Sequence, residues 1–121
     1  MVDECLLHFV ETALFHRRLD KFSDLSTLFA IQADLLEDPK RGDVMQGCGG
    51  ARKARIADSS SSKGKGGGFR YIYIYLERPR IIYLLMLYPK NEKSDLSSDE
   101  RKVIANLVKQ YKALYGETPD G

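Results

Sequence analysis

Two nearly unbroken runs of apolar and β-branched residues constrain the fold of this chain more than any other feature. The first run is Phe69 to Leu76 and the second is Ile81 to Tyr88, with Glu77-Arg78-Pro79-Arg80 between them. Aromatic and β-branched side chains favour strands, and so short a connection predicts an antiparallel hairpin. Because neither run alternates between apolar and polar residues, both strands are expected at the centre of a sheet covered on both faces.

The N-terminal third is predicted to contain a strand and two helices. Cys5 to Val10 is apolar and β-branched enough for a strand, and Thr12 is a suitable N-cap for a short helix. A second helix begins at Ser23 or Asp24 and ends before Pro39, because the residue preceding a proline avoids helical dihedral angles.

The remainder adds a loop, a strand and a longer helix. The glycine-rich segment from Gly42 to Gly50 is predicted to be a loop, and Arg52 to Ala57 alternates as a strand does. Ser97 followed three residues later by Glu100 has the spacing of a capping box, and Gly116 ends the helix that follows. The predicted class is α+β, with a small antiparallel sheet, two N-terminal helices and one C-terminal helix.

With 121 residues, the chain is expected to form a single domain over residues 1–121. The stretch 58–68, rich in serine and glycine, is expected to be a flexible loop, and residues 116–121 a frayed tail. No basic segment precedes an apolar one at the start, so no secretion signal and a cytoplasmic location are expected. The longest apolar run is far shorter than the ~20 residues of a membrane-spanning helix. Cys5 and Cys48 are interpreted as free thiols.

Positive charge is concentrated in the middle of the chain. Nine of the 19 lysines and arginines lie between Ala51 and Lys90, where only Asp58 and Glu77 oppose them, so this segment carries 9 − 2 = +7. The flanking segments are acidic, which leaves a formal net charge of +2. A dense basic surface attracts phosphate backbones through counterion release, so nucleic acid is the expected partner.

Strand alternation brings several of these cations together. Lys53 and Arg55 point to one face of their predicted strand, while Arg52 points to the other. Arg70 opens the next strand and Lys90 follows the strand after it, so both lie near strand ends that can converge on the same surface.

The glycine-rich loop contributes two further cations, Lys63 and Lys65. A basic loop above a basic sheet face suits a single-stranded backbone better than a rigid duplex. Each of these residues, taken alone, also fits an ordinary solvated surface cation. The combination is what favours binding of RNA.

RNA cleavage through the 2′-hydroxyl needs a base, charge stabilisation at phosphorus and protonation of the leaving oxygen. The two histidines, His8 and His16, lie in the N-terminal elements, which disfavours a histidine-pair ribonuclease. Glu92 is a candidate base or else a surface ion-pair partner, and Tyr88 either contacts a base or closes the core. The basic region contains no acidic cluster for a two-metal nuclease, so cleavage without a metal or other cofactor is predicted.

Four segments follow one another in a recognisable order. They are Leu36-Glu37-Asp38-Pro39, then Gly42-Asp43-Val44 with the run from Gly47 to Arg55, then Gly67-Gly68-Phe69-Arg70-Tyr71-Ile72-Tyr73, and finally Tyr88-Pro89-Lys90-Asn91-Glu92. As a set they resemble the RelE/HigB-type toxins of bacterial toxin–antitoxin modules. The resemblance covers about residues 5 to 110. It implies a RelE-like microbial ribonuclease fold, cleavage of messenger RNA in the A site of the 70S ribosome, and neutralisation by a cognate antitoxin.

Carried over by position, the resemblance assigns catalytic roles to Lys53, Arg55, Arg70, Lys90 and Glu92. RNA binding is predicted for the remaining basic and polar residues of this region, Arg52, Lys63, Lys65, Tyr88 and Asn91. The best-known members have an arginine at the position of Asn91, and Lys63, Lys65 and Lys90 are the candidates to replace its charge. The same fold also serves ParE-type inhibitors of DNA gyrase. The alternatives are therefore such an inhibitor, or a remnant that binds RNA without cleaving it.

Overall fold

The computed structural model describes residues 6–57, 68–92 and 95–116. Within them the chain forms three helices and a five-stranded sheet, which confirms the α+β class. The elements in chain order are β1 (His8–Glu11), α1 (Ala13–Phe22), α2 (Leu25–Glu37), β2 (Asp43–Val44), β3 (Arg52–Ile56), β4 (Phe69–Leu76), β5 (Ile81–Pro89) and α3 (Ser98–Leu114). Cys5, most of the predicted loop 58–68 and most of the predicted tail 116–121 lie outside the described residues.

The central hairpin is confirmed. Strands β4 and β5 pair antiparallel from Leu76 opposite Ile81 to Phe69 opposite Pro89, with one register shift between Ile72 and Tyr73. Arg80 closes the turn with φ of 59°. A positive φ is uncommon for a residue other than glycine, and here it lets the chain reverse directly into β5.

The strands lie in the order β1-β5-β4-β3-β2, and the sheet is mostly but not wholly antiparallel. Strand β1 pairs parallel with β5, from His8 opposite Ile81 to Glu11 opposite Leu84. The predicted loop from Gly42 to Gly50 also contains the two-residue strand β2, which pairs with the start of β3. The first strand runs to Glu11 instead of ending at Val10.

Both faces of the sheet are covered, as the apolar runs predicted. Helices α1 and α2 pack on one face, where Phe15 and Ile31 are fully buried against Tyr71 and Tyr73. Helix α3 packs on the other face, where a second cluster of buried apolar side chains includes Ile72. Burying each such large apolar side chain stabilises the fold by about 1.5–3 kcal/mol. The central strands therefore have little room for polar side chains except at their ends.

The helix starts also agree with the predictions. Thr12 caps α1, Asp24 caps α2, and Ser97 with Glu100 forms the predicted capping box of α3. Such a cap contributes roughly 1 kcal/mol by satisfying N–H groups that have no partner within the helix. In the described part of the chain, no helix is long and apolar enough to cross a membrane.

Candidate functional site

The register between β3 and β4 places two arginines side by side. Arg55 lies directly opposite Arg70, and Lys53 lies opposite Ile72. Because side chains alternate along a strand, Lys53, Arg55 and Arg70 share the face on which Ile72 packs toward α3. Arg70 is half-buried and Arg55 is exposed, so both are at the end of the sheet where apolar packing gives way to solvent.

Two adjoining depressions share these arginines. The larger, of about 490 Å³, is lined by Arg41, Asp43, Lys53, Ala54, Arg55 and Arg70. The smaller, of about 250 Å³, is lined by Arg55, Ile56, Ala57, Gly68, Phe69, Arg70 and Lys90. We call the combined surface the cationic cleft, after its five basic residues Arg41, Lys53, Arg55, Arg70 and Lys90. Four of the five predicted catalytic residues line it, and Glu92 does not.

The arginine pair brings two like charges together in the cationic cleft. Like charges directly opposite each other on paired strands destabilise a sheet. In the described residues, no carboxylate makes an ion pair with Arg55 or Arg70. An anion held between the two guanidinium groups would remove this repulsion and accept charge-assisted hydrogen bonds from both. The pair therefore has the chemistry of a phosphate-binding site.

Lys53 is held in place by Asp95, which lies in the segment before α3. Its Nζ donates to Asp95 Oδ1 at 3.4 Å, and the same carboxylate accepts from Arg101 at 3.3 Å. The backbone N–H of Leu96 donates to Asp95 and lowers the pKa of this carboxyl, and the positive charge of Lys53 lowers it further. Asp95 is thus ionised near neutral pH and orients the lysine at the edge of the cleft.

Tyr88 lies behind the cationic cleft and not within it. It is fully buried in the core cluster under α3 and pairs across the strands with Arg70. Burial raises the pKa of its phenol, and the nearby Asp95 adds to the effect, so the ring stays protonated at neutral pH. This burial favours the predicted role of closing the core, and the predicted role of Tyr88 in RNA binding stays a prediction.

Glu92 and Asn91 follow β5 in a turn. Arg18 of α1 donates through NH2 to Glu92 Oε1 at 2.7 Å and through Nε to the backbone carbonyl of Leu87 at 2.9 Å. Glu92 therefore takes the predicted alternative role of ion-pair partner. Asn91 is exposed and lines neither depression. The catalytic role of Glu92 and the RNA-binding role of Asn91 stay predictions.

Arg52 forms hydrogen bonds with the backbone of the segment before β2. Its NH1 donates to the carbonyl oxygens of Gly42 at 2.7 Å and Lys40 at 3.1 Å. It lies outside the cationic cleft, on the opposite face of β3 from Lys53. The other two predicted RNA-binding lysines, Lys63 and Lys65, lie outside the described residues.

The histidines are remote from this surface. His16 is exposed on α1 with its ring nitrogens 3.3 Å from Glu11 and 3.4 Å from Asp20, and His8 is exposed on β1. The prediction against a histidine-pair ribonuclease stays a prediction. Among the residues with described positions, no three His, Cys, Asp or Glu side chains are grouped as metal ligands.

Sequence reasoning missed three residues that shape the cleft. Arg41 and Asp43 line it from the segment after α2, and Asp95 orients Lys53. Asp43 could have been found from the sequence by recognising that the predicted loop contains a strand, because Asp43 lies opposite Lys53 in the pairing of β2 with β3. Asp95 had none, since it lies 42 residues from Lys53 in the sequence.

Comparison with known proteins supplies the family. The model of the family described as the RelE toxin of the RelE/RelB toxin–antitoxin system matches residues 15–118. This chain belongs to the RelE toxin family. The match spans most of the chain and includes every basic residue of the cationic cleft. Family membership makes the protein a toxin of a toxin–antitoxin system, with an antitoxin as its partner.

A solved structure has a similar fold. The free state of a mutant of E. coli toxin RelE is similar to this chain with a TM-score of 0.53. The similarity covers 73% of this chain and 87% of that one at 12% sequence identity. At such low identity the likeness shows the shared fold alone.

Proposed function

We propose that this toxin is an endoribonuclease that cleaves messenger RNA in the ribosomal A site and so stops translation. The observation that supports this most is the cross-strand pair of Arg55 and Arg70 in the cationic cleft. A pair of arginines without a described carboxylate partner costs stability, and an RNA phosphate is an anion of the geometry that paired guanidinium groups accept.

The proposed reaction is attack of the 2′-hydroxyl on the adjacent phosphorus. The 2′-oxygen loses its proton and forms a bond to phosphorus, the bond to the 5′-oxygen breaks, and that oxygen takes up a proton. Arg55 and Arg70 bind the non-bridging oxygens, whose negative charge grows in the transition state. Lys53, oriented by Asp95, and Lys90 add positive charge from either side. No step in this scheme requires a metal or cofactor.

The ends of cellular messages after induction test this proposal. Primer extension should reveal new 5′ ends inside translated regions, and their number should rise before growth stops. With purified components, a message carrying a single 2′-deoxynucleotide at the cleaved position should resist cleavage on programmed ribosomes. Intact messages with damaged chromosomal DNA would refute the proposal in favour of a gyrase inhibitor. Bound but uncut RNA would instead indicate a non-catalytic remnant.

We also propose that the antitoxin covers the cationic cleft with an acidic segment while the toxin is held inactive in the cytoplasm. The segment between Ala51 and Lys90 carries +7, and an open surface of this charge binds nucleic acid without selectivity. An acidic, partly disordered chain can wrap such a surface and neutralise it.

A further inference from the structure

A second basic depression lies at the other end of β4. Strand β3 pairs with β4 only as far as Tyr73, so the edge of β4 from Ile74 onward faces a depression of about 520 Å³ instead of a strand. The end of α3 and the turn at Gly50 close its sides. We call it the β4-edge pocket, and its charged lining residues are Lys40, Arg52, Glu77, Arg78 and Lys112.

Lys112 is the residue that sets this pocket apart from an ordinary basic surface. It is only 7% exposed, although a lysine is rarely buried without a charged partner. Its Nζ lies 3.6 Å from the position that a Cβ on Gly50 would occupy, and Ile74 Cδ1 lies 3.5 Å from the same point. The ammonium group is therefore confined between the glycine turn and an apolar strand.

In the part of the chain that the structure describes, no carboxylate forms an ion pair with Lys112. The one acidic residue of the lining, Glu77, pairs with Lys40 at the exposed rim. A buried cation without a counter-charge is costly, and an anion bound in the pocket offsets this cost. The lining thus has four cations and one carboxylate, and that carboxylate is already engaged.

The guanidinium group of Arg52 is already oriented for binding an anion in the β4-edge pocket. Its NH1 is fixed by the two backbone carbonyls of Lys40 and Gly42, so the guanidinium is held in one orientation before any ligand arrives. Arginine has five N–H donors in a rigid plane, and anchoring one nitrogen orients the others. Fixing donors in advance lowers the entropy cost of binding a phosphate.

We propose that the β4-edge pocket binds a phosphate group, supplied by the backbone of the RNA strand that also occupies the cationic cleft. The pocket and the cationic cleft are lined by consecutive residues of the same two segments. Lys40 and Arg52 line the pocket, and the residues that follow them, Arg41 and Lys53, line the cleft. The four-residue step from Arg70 to Ile74, where the pocket edge of β4 begins, corresponds to about 14 Å along a strand, which a few nucleotides span. The choice of RNA rests on the proposed function, whereas the affinity for phosphate does not.

Binding of a non-cleavable strand tests the proposal. A labelled RNA with 2′-deoxy substitutions is titrated with the full chain by fluorescence anisotropy over a range of salt concentrations. Lys112→Met and Arg78→Gln should each weaken binding on the order of tenfold, and each should lower the slope of log affinity against log salt by about 0.7. Lys109→Met, at an exposed position of the same helix, is the matched control and should change neither quantity.

A titration with inorganic phosphate tests whether the pocket binds phosphate at all, independently of whether RNA supplies it. In heteronuclear NMR spectra, phosphate should shift the amide signals of Gly50 and Gly116, and the shifts should be lost in Lys112→Met. Unchanged RNA affinity in both variants, with no phosphate shifts, would overturn the pocket. Phosphate shifts with unchanged RNA affinity would overturn RNA as the source. Wild-type protein that binds RNA through the pocket but never cleaves a message would refute the proposed function and leave the pocket standing.

Discussion

Replacing Arg70 with alanine should greatly slow RNA cleavage and leave the stability of the fold nearly unchanged. Arg70 lies directly opposite Arg55, a position at which Cβ atoms are about 5 Å apart, and we take about 7 Å as the separation of the charges at the ends of these two long side chains. Two unit charges at that distance repel by about 0.6 kcal/mol in bulk water and by about 2.4 kcal/mol at an effective dielectric constant of 20. Because Arg55 is exposed, the lower value is the better guide. Losing this repulsion offsets the packing that the half-buried Arg70 stem provides.

The free energy of unfolding of Arg70→Ala should therefore differ from that of the wild type by less than about 1 kcal/mol. The cleavage rate should fall on the order of 100-fold to 1000-fold, as expected when one preorganised donor to a transition state is removed. Urea unfolding followed by circular dichroism measures the first quantity, with an unchanged slope as the sign of an intact fold. Single-turnover cleavage on programmed ribosomes measures the second.

Lys109→Ala, on the exposed side of α3, is the matched control and should leave both quantities unchanged. A loss of more than about 2 kcal/mol of stability in Arg70→Ala would mean that the arginine serves the fold. A stable variant that cuts at the wild-type rate would remove Arg70 from the active site and refute the electrostatic reasoning behind it.

Three further outcomes are expected. Affinity for the antitoxin should fall as the salt concentration rises, because salt screens the attraction between an acidic partner and the segment that carries +7. Calorimetry that finds salt-independent binding would contradict this. Tyr73→Phe should cost about 1–3 kcal/mol in thermal unfolding, because its hydroxyl donates to Pro39 O at 2.8 Å and accepts from Gly42 N at 3.0 Å; an unchanged melting temperature would show that water replaces it. Burial and the hydrogen bond to Tyr115 raise the pKa of Tyr83 to about 12. Because this folded-state pKa exceeds the unfolded value of about 10, the stability it contributes is complete below pH 10 and is lost as the pH rises through 12, and urea unfolding from pH 9 to pH 12 that shows no decline would exclude it.

The elements that were predicted correctly have local causes. The hairpin follows from two apolar runs and a four-residue connection, and β4 spans Phe69–Leu76 as expected. The capping box of Ser97 and Glu100 depends on residues three apart, so a single turn of helix decides it. The common face of Lys53 and Arg55 needs only the two-residue period of a strand.

The features that escaped prediction depend on residues far apart in the chain. Parallel pairing of β1 with β5 joins His8 to Ile81, and no short-range pattern indicates this choice. The same holds for the contact between Arg18 and Glu92, which are 74 residues apart and occupy separate elements.

The sequence by itself determined where the three helices and the strands β3, β4 and β5 form, but not strand β2. It also determined that the central strands are buried on both sides, and that the basic residues lie on β3, β4 and the segments beside them. Periodicity and capping are short-range effects, so they can be read from neighbouring residues. Only the tertiary structure decided that Arg55 faces Arg70, that Asp95 orients Lys53, and that Tyr88 belongs to the core. Strand register and helix docking set these contacts, and both result from packing the whole core at once.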